Sequence, residues 1–278
     1  MLATRGEFSE GALRLKAVKK KVFIAAVKQL RLYNGLTWHA SSTHEVADIR
    51  RVMSVGKATP GSIVVAPNLA GSISNQDLKH DLIAGRRYGR KLRVCFLSRI
   101  SPMKNLDFAL RMLMQVNAPV KFVIYGPVED SNYWAECQAQ IEKLPSNIEV
   151  AYEGLVKHAQ VVSTLAQNDL FLLPTRGENS GHVIHEALRA GLPTLISDQT
   201  PWRKLAEKGV GWDLPLDDVD QFVKRIEEVA AWSDREYQRW SSRAIAHAAK
   251  VAEDPAIVES NRRLFLDAIG GSEHAAAS

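Results

Sequence analysis

Between Arg93 and Ser197 the chain alternates short apolar runs with longer mixed ones. The apolar runs are Arg93–Ser98 (RVCFLS), Val120–Tyr125 (VKFVIY), Asn147–Tyr152 (NIEVAY), Asp169–Leu173 (DLFLL) and Thr194–Ser197 (TLIS). Continuous apolar runs of this length fit strands buried on both faces. Helical spacing fills the gaps. Leu106, Leu110 and Leu113 follow a turn at Pro102, a polar stretch from Ser131 to Lys143 stops at Pro145, and further helices are expected near Ala159–Ala166 and His182–Ala190. Strand and helix in alternation predict an α/β fold whose parallel strands are joined by right-handed crossovers, a doubly wound Rossmann-like sheet.

The first residues follow another pattern. Residues 12–33 (ALRLKAVKKKVFIAAVKQLRLY) predict one basic amphipathic helix, with Leu13, Val18, Val22, Val27 and Leu30 as its apolar face and Lys16, Lys19, Lys20, Lys21, Lys28 and Arg31 around it. A strand at Leu36–Ala40, a helix from Thr43 to Met53 capped by Thr43, and a strand at Ser62–Ala66 follow. Two strands make a marginal core. Exposure of Val22, Phe23, Leu36 and Trp38 is therefore expected, with self-association or poor solubility of residues 1–68. Residues 69–90, which end in RRYGRK, read as a linker. Residues 91–252 form the Rossmann-like domain, and 253–278 a C-terminal helix and tail, with Pro255 dividing two helices.

Composition narrows the classes. Lys and Arg number 36 against 31 Asp and Glu, a net charge of only +5. No aromatic residues interleave with the lysines, so nucleic acid is not an expected partner. The basic helix leaves open a solvated face or contact with anionic lipids. Two cysteines, Cys95 and Cys137, build neither a disulfide framework nor a four-thiolate zinc site. A reduced, cytoplasmic compartment follows. No apolar run is long enough to span a bilayer, and the acidic opening is not a secretory signal.

The chemistry concentrates in LLPTRGENSGHVIHEALRAGLPTL. A strand ends at Pro174, a loop carries Gly177, Glu178 and Gly181, and a helix opening near Gly181 carries Glu186. Free N–H groups and the positive end of the helix dipole make such a turn an anion site. Glycine lets a ligand approach the backbone. Two carboxylates would repel phosphate, so Glu178 and Glu186 suit neutral hydroxyls, which they accept from strongly. His182 and His185 stand beside Glu186 at zinc-like spacing, but no third ligand accompanies them and no metal is expected.

Glu178 and Glu186 reproduce the E-x7-E element of the retaining glycosyltransferases of family four, which have the two-domain GT-B architecture. SRISPMKN (Ser98–Asn105) resembles that family's arginine–lysine loop, and VIYGPVEDSNYW, IEVAYEGLV and NDLFLLPTRGENSGHVIHEALRAGLPTLISDQTPWRKL fall at the expected places. The resemblance spans roughly residues 5–270. It implies a glycosyltransferase that moves a sugar, with retention, from a UDP- or GDP-sugar to a polysaccharide or lipid-linked acceptor, with no metal or other cofactor. Arg99 and Lys104 would hold the diphosphate and Glu178 the transferred sugar. Glu186 would take the ribose. Asn179, Ser180, Gly181, His182 and Gly126 would line the donor, with Leu155 and Val156 near the base. Set against the family, the N-terminal acceptor domain reads as truncated. The chain would then be a donor-binding fragment inactive alone, or half of a split enzyme whose N-terminal half is supplied in trans or by self-association. By analogy with relatives that build polysaccharides, peripheral contact with the inner membrane face stands as the alternative to a plain solvated helix face.

Overall fold

The computed structural model describes residues 1–14, 17–54, 63–68 and 91–275. The chain divides into two compact units. One comprises Met1–Gly71, Gly177–Ser180 and Glu253–Ser278, the other Ser72–Arg176 and Gly181–Ala252. The region 69–90, read above as a linker, lies outside the described residues.

The smaller unit opens with strand β1 (Leu2–Ala3), helices α1 (Glu10–Arg14) and α2 (Ala17–Gln29), strand β2 (Trp38–Ala40), helix α3 (Thr43–Met53) and strand β3 (Ile63–Val65). The strands are parallel in the order β1-β2-β3. This corrects the expectation of two strands. Leu2 and Ala3 are too short a run to carry a strand signal and gain their role only by pairing with Trp38 and His39. The third strand brings a small core with it. Trp38 is 2% exposed rather than open to solvent, because the rings of Phe8 and Tyr33 close on it at centroid distances of 6.0 and 5.6 Å. Leu36 is half-buried.

The single helix expected over 12–33 is instead α1 and α2, and residues 15–16 between them, Lys16 included, lie outside the described residues. Its apolar stripe is not a buried face: of α2 only Val27 is buried, while Val18, Val22 and Phe23 are exposed, as is Leu30 beyond its end. The cap of α3 is Ser42, not Thr43. Ser42 is the last extended residue, and its side chain accepts from the Glu45 N–H, the bond that an N-cap oxygen makes to the third helical residue.

The larger unit runs β4 (Leu92–Leu97), α4 (Leu106–Leu113), β5 (Val120–Tyr125), α5 (Ser131–Ile141), β6 (Ile148–Gly154), α6 (Val161–Leu165), β7 (Leu170–Leu173), α7 (His182–Arg189), β8 (Thr194–Ser197), α8 (Leu205–Lys208), β9 (Gly211–Leu214), α9 (Val219–Ala230) and α10 (Asp234–Ala252). Its six strands are all parallel in the order β6-β5-β4-β7-β8-β9. The chain lays strands outward from β4 on one side, then crosses back to lay β7, β8 and β9 on the other. That is the doubly wound order, and its carboxyl-end crevice opens where the direction reverses, between β4 and β7. Helices cover the sheet, and Phe96, Phe122, Phe171 and Phe222 are fully buried in the core. β9 and α9 carried no sequence expectation. Gly-Trp-Asp-Leu has too few apolar residues to read as a strand, yet Gly211 pairs with Thr194 and Trp212 stacks on Trp240 at 4.9 Å.

Helix α11 (Pro255–Ala275) belongs to the smaller unit, where Asn261 Nδ2 donates to the Pro67 carbonyl at 2.6 Å.

Candidate functional site

At the reversal point two loops of the larger unit are stitched together. Thr175 Oγ1 and Arg176 N–H, just after β7, both donate to the Met103 carbonyl in the loop after β4 (3.1 and 2.8 Å). Asn105 Nδ2 donates to the Pro174 carbonyl at 2.9 Å, and Arg176 Nε donates to Asn105 Oδ1 at 2.9 Å. Asn105 sits at φ 62° before α4, a left-handed conformation that asparagine tolerates better than most residues. In sequence Asn105 carries no signal of its own. Its left-handed turn and its two bonds fix the path of the Ser98–Asn105 segment, and with it Lys104, which is 8% exposed.

Arg99, in the same loop, is exposed and forms an ion pair with Glu129 at 2.5 Å. Glu129 lies in the loop after β5, which a short parallel bridge between Ile100 and Val128 holds against the β4 loop. In sequence Glu129 gives no functional signal, because GPVED reads simply as a turn. A surface pair of this kind is weak and easily exchanged, so an incoming anion can compete with Glu129 for Arg99.

Gly126 leaves β5 at φ +129°, where a Cβ would lie 1.9 Å from the Ser98 carbonyl oxygen. Its N–H donates to Gly154 O at 2.7 Å, and Tyr152 Oη donates to its carbonyl at 2.9 Å. The β4, β5 and β6 ends are thus drawn together by backbone contacts that admit no side chain at 126. Beyond β6, Leu155 is exposed and Val156 packs on the core.

Gly181 caps α7 at φ 65°, and an added Cβ would meet the Trp202 ring at 2.7 Å. Glu186, one turn in, is largely buried, and His158 Nδ1 approaches its Oε1 to 3.6 Å. Burial pushes the Glu186 carboxyl up from its ordinary value, and His158, His182 and Arg189 pull it partly back. His158 had no sequence signal: a lone histidine after a strand has no distinguishing neighbour. His182 is exposed at the start of α7. His185 is buried, its Nε2 3.0 Å from the Ala248 carbonyl and its ring stacked on Trp202, and desolvation holds its pKa below the usual imidazole range. That ring braces α7 against α10. Among the described residues no group of three or more His, Cys, Asp or Glu has metal-binding geometry.

Glu178, Asn179 and Ser180 belong to the smaller unit. There Ser41 Oγ lies 2.7 Å from Asn179 Oδ1, Asn68 Nδ2 donates to Ser180 Oγ, and the Asn179 N–H donates to Glu178 Oε1 at 3.0 Å.

The profile of the glycosyl transferases group 1 matches residues 83–247. The chain belongs to that family. No curated protein matches it in sequence. Among solved structures it is similar to HepE of Anabaena in complex with UDP and glucose (TM-score 0.65, 18% identity, 89% of this chain and 66% of that one). It is similar also to sucrose-phosphate synthase from Thermosynechococcus elongatus (0.63, 15%, 90% and 62%) and to TarM of S. aureus in complex with UDP and two further ligands (0.59, 16%, 82% and 43%). These likenesses establish the GT-B fold for this group 1 chain. The chain spans between 43% and 66% of the length of these three relatives. No described helix is long and apolar enough to cross a membrane.

Proposed function

We propose that this group 1 chain transfers a sugar, with retention, from a nucleoside diphosphate sugar to a glycan or lipid-linked acceptor. The observation that carries the reading is the reversal point of the sheet, where the loop bearing Arg99 and Lys104 is bonded to the segment leading into the Gly181–α7 turn. When the bond from the anomeric carbon to the diphosphate breaks, negative charge grows on the departing oxygen while the sugar becomes oxocarbenium-like. On this proposal Arg99, once the diphosphate has displaced Glu129, takes up that charge together with Lys104 and the N–H groups at the start of α7. In this reading no metal is required. Glu186 accepts the ribose hydroxyls, Glu178 and Asn179 the hydroxyls of the sugar, and Leu155 and Val156 flank the base. HepE and TarM have been crystallised with UDP, which supports a uridine nucleotide as the first donor to try.

Titration calorimetry with UDP, GDP, UDP-glucose and GDP-mannose tests this. The wild type is expected to bind one nucleotide family, and an Arg99→Ala, Glu186→Ala double variant to bind none. Equal binding by both proteins would overturn the reading.

The exposed α2 adds a second expectation. Lys19 and Lys21 stand next to exposed Val18, Val22 and Phe23, cations and apolar groups that an anionic lipid surface would attract together. Flotation with vesicles containing anionic phospholipid should carry the protein upward, and a Val22→Ser, Phe23→Ser variant should remain below. Flotation of the variant at the wild-type level would remove the lipid role.

A further inference from the structure

Glu45 is the most fully coordinated acid among the described hydrogen bonds, and the proposed function gives it no task. It is 5% exposed. Its Oε1 accepts from Thr4 Oγ1 at 2.5 Å and Gly6 N–H at 2.8 Å. Its Oε2 accepts from Ser41 N–H at 2.8 Å and Ser41 Oγ at 2.9 Å. Every neighbour is a donor, so both oxygens act as acceptors, and burial is tolerated because the charge is fully hydrogen-bonded. The carboxylate therefore ties the turn after β1, the end of β2 and the first turn of α3 into one block.

That block meets the loop carrying Asn179. Ser41 Oγ lies 2.7 Å from Asn179 Oδ1 and 3.3 Å from the Asn179 carbonyl. Gly6, at φ +82°, sits so close that a Cβ there would lie 3.2 Å from Asn179 Cβ. Ser41 has one hydroxyl proton and is within reach of a carboxylate and an amide oxygen. The carboxylate is the stronger acceptor. Once it takes the proton, the serine oxygen can only accept, and a half-turn of the Asn179 amide points Nδ2 at it and frees Oδ1 for another donor.

We propose that Glu45 is a positioning residue: through Ser41 it fixes the place and polarity of the Asn179 amide, so that Asn179 offers an acceptor to the hydroxyls of the transferred sugar. This deepens the proposed function and rests on it. The sugar is the moiety recognised, and the nucleotide half of the donor should be indifferent to Glu45. A merely structural role would lower both affinities together.

The test compares a nucleoside diphosphate with its hexose derivative, UDP against UDP-glucose and GDP against GDP-mannose, by calorimetry on the full chain. Ser41→Ala and Glu45→Gln are each expected to weaken the sugar nucleotide about tenfold, the worth of one charge-linked hydrogen bond. The free diphosphate should stay within about twofold. The double variant should be no worse than either single one, because both interrupt the same chain of bonds. Ser41→Ala removes only a hydroxyl and carries the test if Glu45→Gln fails to fold. Loss of both ligands in parallel, multiplicative losses in the double variant, or unchanged sugar binding in Ser41→Ala would each overturn the proposal. A wild type that binds none of the four ligands would instead sink the functional reading beneath it.

Discussion

Gly126→Ala should unfold the larger unit at denaturant concentrations that leave the wild type intact. The added Cβ would lie 1.9 Å from the Ser98 carbonyl oxygen and 2.7 Å from its carbon, both backbone atoms, at a φ of +129°. Ser98 cannot retreat without breaking its own bond to the Tyr125 carbonyl, 3.1 Å away. Backbone strain and overpacking each cost on the order of 1–3 kcal/mol, so a loss of about 3–5 kcal/mol is expected against a typical total of roughly 5–15 kcal/mol. Urea melts followed by tryptophan fluorescence would read it. A midpoint within experimental scatter of the wild type would show that the β4 and β5 loops are softer than their packing indicates.

Glu186→Ala is expected to lower nucleotide affinity by about 100-fold, because the ribose role proposed for this carboxylate gives it two charge-assisted hydrogen bonds of roughly 1.5 kcal/mol or more each. Calorimetry with the nucleotide alone measures this. A loss under about threefold would assign the ribose elsewhere. The same site carries a stability signature of opposite sign. Folding raises the Glu186 pKa above 4.5, chiefly by desolvation, so the folded chain holds this proton more tightly than the unfolded one. The resulting stabilisation is complete below the ordinary value and is lost as pH rises through the raised one. Above the ordinary value, holding this group ionised therefore costs stability. Glu186→Gln should melt higher than the wild type at pH 7, and the gain should shrink towards pH 4. A gain that is independent of pH would point to packing rather than charge.

The larger unit could be read from the chain because each level of its sequence agrees. VKFVIY and TLIS match β5 and β8 residue for residue, and the leucines at 106, 110 and 113 span α4. Failures cluster where tertiary contacts override local preference. β1 and β9 exist through their partners, as Leu2 with Trp38 and Gly211 with Thr194 show. The alternation that promised an amphipathic α2 describes a helix exposed nearly all round. At the site, residue types with strong chemical signatures stood out: Arg99, Lys104 and the two glutamates. Glu129, His158, Asn105 and Glu45 did not, since their roles come from residues 30, 28, 69 and 41 positions away: Arg99, Glu186, Pro174 and Thr4. A long-range hydrogen bond leaves no trace in spacing.

The return of α11 to the smaller unit bears on how the chain is made. Pro67 leaves the ribosome 194 residues ahead of its partner Asn261. At roughly 5–20 residues per second, the wait is on the order of ten seconds or longer. Through that interval the Pro67 carbonyl is without this donor while the larger unit completes itself. Vectorial synthesis thus favours the larger unit as the first to mature, and the smaller unit as the client that a chaperone would hold.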